Sequence, residues 1–288
     1  MCERDELRRW TRAALSRRNF AAGALAGAAM ACAPVESDAS ETNAAGVINR
    51  KVTFATPDGT MDGEFFHPAT GKHPGVILWP DIAGIRPAKR QMAERLAMAG
   101  HAVLLANPYY RDVAGQQFAD FADFAGNGGW GKVTPWRSKF TTATKQVDAR
   151  ACAEWLMTRD EVDTGRGIGA QGYCMTGSFA LLAPAADSRI HAGGSFHGGG
   201  LVGEGADSPH RNLREDAHYL VAIAQNDDAK APADKTTLRE ASDAAGTTAE
   251  IEVYPADHGW CVPDSPSYDE MQAERAWSRL LALYREVL

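Results

Sequence analysis

Three side chains in this sequence could act together on a carbonyl group: Cys174, one of the adjacent pair Asp227 and Asp228, and His258. A cysteine thiol becomes a strong nucleophile once it loses its proton, and a nearby imidazole or helix N-terminus stabilises the thiolate. A carboxylate beside that imidazole fixes its tautomer and offsets its charge. The chain order is nucleophile, acid, histidine. Each residue alone says little. A single buried cysteine is more often a small hydrophobe. A lone histidine after a strand is more often a surface or capping group, and an Asp-Asp pair is more often a solvated turn. What gives the three weight is the element each one follows.

Cys174 lies in Gly172-Tyr173-Cys174-Met175-Thr176-Gly177. The run 167–171 reads as a short strand, and Ser178-Phe179-Ala180-Leu181-Leu182-Ala183 reads as a buried helix. Strand, tight glycine-flanked turn and helix make a nucleophile elbow, with the central side chain over a helix N-terminus. Asp227 and Asp228 follow the apolar strand 219–224, and His258 follows the strand 251–254. All three groups are therefore expected at the C-terminal ends of consecutive core strands, where open α/β sheets place their sites. Strand position favours Asp227 as the acid; counting back from Pro232 favours Asp228. An oxyanion needs N–H donors. Met175, just after the cysteine, supplies one, and Ile82, in the loop after strand 75–79, is placed for the other.

The remaining elements build that frame. Residues 47–56 and 59–67 alternate around Pro57-Asp58-Gly59 and predict an edge hairpin. The continuous apolar runs 75–79 and 102–106 predict strands covered on both faces, joined by a helix at 88–99. This is a βαβ unit, and it implies a mostly parallel central sheet with helices on both faces. Residues 107–140 carry Tyr109, Tyr110, Arg111, Trp130 and Trp136 without a regular period. Such a segment is a lid or binding loop about as often as a self-packed surface excursion. A helix is expected at 141–159 with Val147, Ala151, Trp155 and Leu156 on its apolar stripe. Strand 190–196 runs into His197-Gly198-Gly199-Gly200, a glycine-rich turn expected to line the pocket. Residues 200–217 read as a polar loop, 232–245 as a helix and 267–288 as a closing amphipathic helix.

Residues 1–45 read as a leader and linker, and 46–288 as one α/β domain. Ser16-Arg17-Arg18-Asn19-Phe20 precedes a small apolar run, 21–31, too short to span a membrane. The pattern resembles a twin-arginine export signal, which predicts a periplasmic protein. Cys32 is a candidate lipidation site and the one expected route to a membrane anchor. The chain has 288 residues and a formal net charge of -7, which argues against nucleic acid as a partner. Five cysteines without a Cys-x-x-Cys pair give no zinc pattern and leave at least one thiol free. The expectation is a monomer acting on a small molecule, with no metal and no cofactor.

These strings carry a family resemblance. Asp81-Ile82-Ala83-Gly84, Pro108-Tyr109-Tyr110-Arg111, the elbow at 172–177, Asn226-Asp227, and Tyr254-Pro255 through His258-Gly259-Trp260 resemble the dienelactone hydrolase family. The resemblance covers roughly residues 47–288 and implies a cysteine hydrolase of α/β-hydrolase fold. It implies that Cys174 attacks an ester or lactone carbonyl, His258 relays the proton, and Asp227 or Asp228 orients His258. It also implies substrate-side roles for Asp81, where the family often has a glutamate holding the resting thiol, and for Arg111, matching an arginine that binds the substrate carboxylate. A second such arginine is missing, since Gly259-Trp260-Cys261-Val262 follows His258. Thr176 stands where the family's elbow usually has glycine. An ester or lactone with one anionic group, or none, fits these departures. Two other readings compete: a thiol redox or peroxide-handling role pairing Cys174 with Cys261, and a non-catalytic binding protein of the same fold.

Overall fold

The computed structural model describes residues 41–42 and 46–288. The expected export signal and Cys32 lie outside the described residues. Among these residues the strands are β1 (Glu41–Thr42), β2 (Val47–Thr56), β3 (Gly59–Pro68), β4 (Gly75–Trp79), β5 (Ala102–Ala106), β6 (Ile168–Tyr173), β7 (Ile190–Phe196), β8 (His218–Ala224) and β9 (Thr248–Tyr254). They form one sheet in the order β1-β2-β3-β5-β4-β6-β7-β8-β9. The pairings β1–β2, β2–β3 and β3–β5 are antiparallel, and every pairing from β5 to β9 is parallel. The hairpin is as expected, but β3 is not an edge strand: it pairs with β5 inside the sheet.

The two faces follow from strand periodicity. Val76 and Leu78 of β4 pack on one face, and Ile77 and Trp79 on the other. The first face is covered by α1 (Pro87–Met98) and α8 (Glu270–Val287), through Leu96, Ala97, Ala276 and Leu280. The second is covered by α4 (Thr142–Leu156) and α5 (Gly177–Ala186), through Cys152, Leu156, Phe179 and Ala183. All five residues of β4 and of β5 are buried, which is why they read as unbroken apolar runs.

The segment 107–140 departs from the expected irregular chain. It holds α2 (Phe121–Gly126) and α3 (Gly129–Arg137). Both are too short for a helical period to register, and helices of this length depend on tertiary packing. Asp120 caps α2 by accepting from the Asp123 N–H at 2.7 Å. Phe124 is fully buried against Phe118, Phe121 and Trp130. This aromatic cluster packs on Ile82 and Met175. In α4 Ala151 and Leu156 of the expected stripe are buried and Val147 and Trp155 partly so, while Asp148, Ala149, Cys152 and Ala153 are buried as well. After β8, Gln225–Lys230 forms α6 rather than a turn, followed by α7 (Asp234–Ala245).

At the elbow, the chain passes so close to itself that two positions accept no side chain. A Cβ at residue 172 would collide with the Thr176 carbonyl. A Cβ at residue 177, the first residue of α5, would lie 2.5 Å from the Gly198 Cα and would also strike the Ser195 hydroxyl. The helix start thus rests directly on the end of β7. Gly177→Ala is expected to destabilise the fold by about 1–3 kcal/mol, the usual range for overpacking. Urea unfolding monitored by circular dichroism checks this; an unchanged midpoint would contradict the close approach.

Candidate active site

The elbow holds Cys174 at φ 55°, in the left-handed region that a side chain rarely adopts. Its carbonyl accepts from the Gly199 N–H at 3.0 Å. The bulk at Thr176 has a use. Its hydroxyl accepts from the Tyr173 N–H at 2.9 Å and lies within 2.9 Å of the Pro80 carbonyl and 3.1 Å of that of Trp79. It ties the elbow to the end of β4, where the loop carrying Ile82 begins. Cys174 then sits at the mouth of α5, whose N-terminal N–H groups favour negative charge.

The two aspartates separate cleanly. Asp227, in α6, accepts from His258 Nδ1 at 2.5 Å. Asp228 turns away, and both its oxygens take Lys235 at 2.7 Å. Asn226 accepts from the His258 backbone N–H at 2.9 Å and hooks the loop after β9 onto α6. Cys174 Sγ, one ring nitrogen of His258 and one of His197 all lie within 4.8 Å of one another.

His197 was not singled out by the sequence reasoning. The ends of β6, β8 and β9 read as consecutive, but β7 lies between β6 and β8 and ends at His197. That residue also has a positive φ, 40°. It is 2% exposed, and neither ring nitrogen has a hydrogen-bond partner. Its ring meets His258 edge-on at 4.7 Å between centroids, and Trp260 likewise at 5.2 Å. A bulky residue at the head of a glycine run is the one signal the sequence offered.

A cavity of about 460 Å³ opens over these groups. Cys174, His258, Asp227, Ile82 and Met175 line it, as do the three glycines 198–200. Arg137, Lys145, Lys230 and Asp234 line it too. Lys145 donates to the Ser178 hydroxyl at 3.0 Å, and burial pushes its pKa down to about 8. The aromatic segment contributes Arg137 and Phe140 to this wall.

Asp81 and Arg111, expected on the substrate side, are held in ion pairs away from this cavity. Asp81 is not among the cavity residues. Its oxygens take Arg86 at 2.7 and 2.9 Å and Lys89 at 3.0 Å. Burial alone would raise its pKa, but the Arg86 and Lys89 charges outweigh that and hold the carboxyl well below the usual carboxylate range. Arg86 also grips Asp264 at 2.7 and 2.9 Å. Arg111 lies off the cavity as well. Its guanidinium is taken by Asp148, at 2.7 and 2.9 Å, and by Asp58, at 2.6 Å. Cys261 lines a separate cavity between α1 and α8, and burial pushes its thiol up to about 12. The Cys174 cavity therefore gains no resolving thiol from Cys261.

The sheet order, the elbow between β6 and α5 and the cleft at the strand ends define an α/β-hydrolase. Comparison with known proteins narrows this. The sequence profile of the dienelactone hydrolase family matches residues 61–288. A Salmonella typhi protein carrying the provisional name carboxymethylenebutenolidase is 26% identical over 84% of this chain and 88% of its own length. A carboxymethylenebutenolidase of Rhodococcus opacus is 29% identical over 44% of this chain and 46% of its own. A solved structure of a provisionally named dienelactone hydrolase from Klebsiella pneumoniae subsp. pneumoniae superposes with a TM-score of 0.65 at 25% identity, covering 83% of this chain and 98% of that one. The chain belongs to the dienelactone hydrolase family.

His197 also gives the fold a pH dependence. Burial, and then the charge of His258, push its pKa well below the ordinary 6.5. The unfolded chain therefore takes up a proton below about pH 6.5 that the folded chain refuses. Stability is lost as pH falls through that point, by up to about 1.4 kcal/mol per pH unit for one histidine. Burial lowers His67, and lowers His101 to about 4, so both act with the same sign. Urea unfolding at about pH 7.5 and pH 5.5 is expected to show lower stability in acid, and His197→Phe to shrink that difference. The same difference in the variant would refute a neutral, buried His197.

Proposed function

We propose that this protein hydrolyses a small carboxylic ester or lactone through an acyl-enzyme on Cys174. The observation that carries the reading is the meeting of a strained elbow cysteine with a carboxylate-held histidine in one cavity. His258 Nε2 takes the Cys174 proton, and the thiolate attacks the carbonyl carbon. The backbone N–H groups of Met175 and Ile82 receive the oxyanion. Collapse breaks the bond to the alkoxide, which leaves with the proton from His258. In a lactone it remains tethered as the hydroxyl of the opened chain. Water, deprotonated by His258, then cleaves the thioester and restores the thiol. Asp227 keeps His258 in the tautomer with Nδ1–H and offsets the charge it carries between steps.

Family membership and the relatives' names support a lactone or ester as the substrate class. Apart from Asp227, the cavity is lined by three basic side chains, Arg137, Lys145 and Lys230, and one acidic one, Asp234, an excess of positive charge that suits a substrate with one carboxylate. We carry the reading of 1–45 as an export leader into this proposal, which puts the reaction outside the cytoplasm. Cell fractionation tests that part separately.

A panel of p-nitrophenyl esters and small lactones tests the chemistry. Cys174→Ala is expected to lower kcat/KM by about 10³-fold or more. Asp227→Asn should cost about 10²–10⁴-fold through the histidine tautomer, while Asp228→Asn stays within about threefold because its partner is Lys235. Activity surviving in Cys174→Ala would sink the mechanism. Equal losses in the two aspartate variants would sink the assignment of Asp227.

A further inference from the structure

We propose that Cys174, His197 and His258 form a binding site for a divalent transition-metal ion of the zinc type, and that occupancy switches the hydrolase off. The first support is the ligand set. One sulfur and two imidazole nitrogens lie within 4.8 Å of one another. A tetrahedral zinc with bonds of about 2.0–2.3 Å spaces its ligands roughly 3.3–3.8 Å apart. Small rotations of the three side chains close that gap. Thiolate and imidazole together select zinc-like or copper-like ions over magnesium and calcium.

The second support is His197 itself. No step of the proposed hydrolysis uses it, yet it is buried with both ring nitrogens unpartnered. An imidazole taken out of water without a hydrogen bond leaves its desolvation uncompensated. Its backbone is also held in the left-handed region, at φ 40°. Packing against His258 and Trp260 fixes the ring where a nitrogen reaches the other two ligand atoms. A neutral imidazole has the lone pair that a metal needs.

The third support is the Asp227–His258 pair. Nδ1 of His258 bonds Asp227 at 2.5 Å, so coordination by this ring falls to Nε2. A carboxylate behind a ligating histidine fixes its tautomer and raises its basicity. On coordination the Cys174 thiol gives its proton to solvent, and the two imidazoles bind as neutral donors. A water from the cavity completes the fourth position. Nucleophile and base are then both occupied, so acylation stops. Metal binding stands on these ligands alone; the inhibition rests on the hydrolase reading.

The test uses the full chain, first stripped of metal. Titration with Co²⁺ is expected to give intense visible bands of a tetrahedral site and a thiolate-to-metal charge-transfer band. One equivalent of Zn²⁺ should displace them. Cys174→Ser should lose the charge-transfer band. His197→Phe, which keeps a ring against His258 and Trp260, should weaken Zn²⁺ binding at least tenfold. His197→Gln serves if the phenylalanine variant does not fold by circular dichroism. Zn²⁺ should inhibit ester hydrolysis by the wild type, read as a fraction of each protein's own rate, and a chelator should reverse it. The histidine variants should need at least tenfold more Zn²⁺ for the same fraction. Absence of a thiolate–cobalt band, or equal Zn²⁺ affinity in the His197 variants, would overturn the site. If no ester or lactone is turned over by any form, the hydrolase reading falls, and the cobalt spectra still decide the metal site.

Discussion

The site depends on how closely two adjacent parallel strands end. β6 and β7 are neighbours, and each runs into a non-glycine residue with positive φ: Cys174 at 55° and His197 at 40°. Side chains resist that conformation unless their surroundings over-determine it. Here the surroundings are backbone. Gly177 lies against Gly198, and the Gly199 N–H bonds the Cys174 carbonyl at 3.0 Å. The start of α5 and the glycine run after β7 therefore fix each other, and in doing so they fix Cys174 over a helix N-terminus and His197 against His258. A small extra atom in that contact would move Cys174 and the histidine pair together.

A second constraint acts at the opposite rim. Arg86 is fully buried and holds Asp81 with one edge of its guanidinium and Asp264 with another. Asp264 also accepts from the Phe121 N–H at 3.0 Å, at the head of α2. One cation thus joins the Ile82 loop, the loop that follows His258, and the aromatic segment. Buried ion pairs contribute little net stability, because desolvation consumes most of the attraction. Breaking one is costly, since the partner remains buried and charged. The effect is positional: three loops that carry Ile82, His258 and the cavity wall share one geometry.

Most of the framework was legible in the sequence because it rests on short-range signals. β4, β5 and β8 appeared as apolar runs with sharp ends, and the elbow appeared as glycines at 172 and 177. The order of cysteine, aspartate and histidine carried the likeness to the family. What escaped was everything set by tertiary contact. α2 and α3 have no stripe of their own and exist through Phe124 and its neighbours. His197 gave no spacing signal, since its partners lie 23 positions before it at Cys174 and 61 after it at His258, in sheet positions that only the strand order brings together. For the acid, strand position favoured Asp227, and α6 presents that carboxylate to His258 while Asp228 takes Lys235.

The fate of Arg111 shows why a matching string does not carry a role with it. Asp148 lies in the middle of α4 at 0% exposure. Burial pushes its carboxyl upward, and the Arg111 guanidinium and the Tyr110 hydroxyl pull back against that. Without Arg111, α4 would keep a buried carboxylate held by the Tyr110 phenol, an arrangement that costs several kcal/mol if the group stays ionised. Arg111 is therefore committed to the scaffold by the residue opposite it, and the basic side chains of the cavity come from elsewhere, Arg137, Lys145 and Lys230. A charge displaced in this way changes where a substrate carboxylate can sit while leaving the reacting groups in place. The geometry at Cys174 and the selectivity of the cavity are accordingly set by different parts of the chain. The first belongs to the strand ends, and the second belongs to α3, the start of α4 and α6.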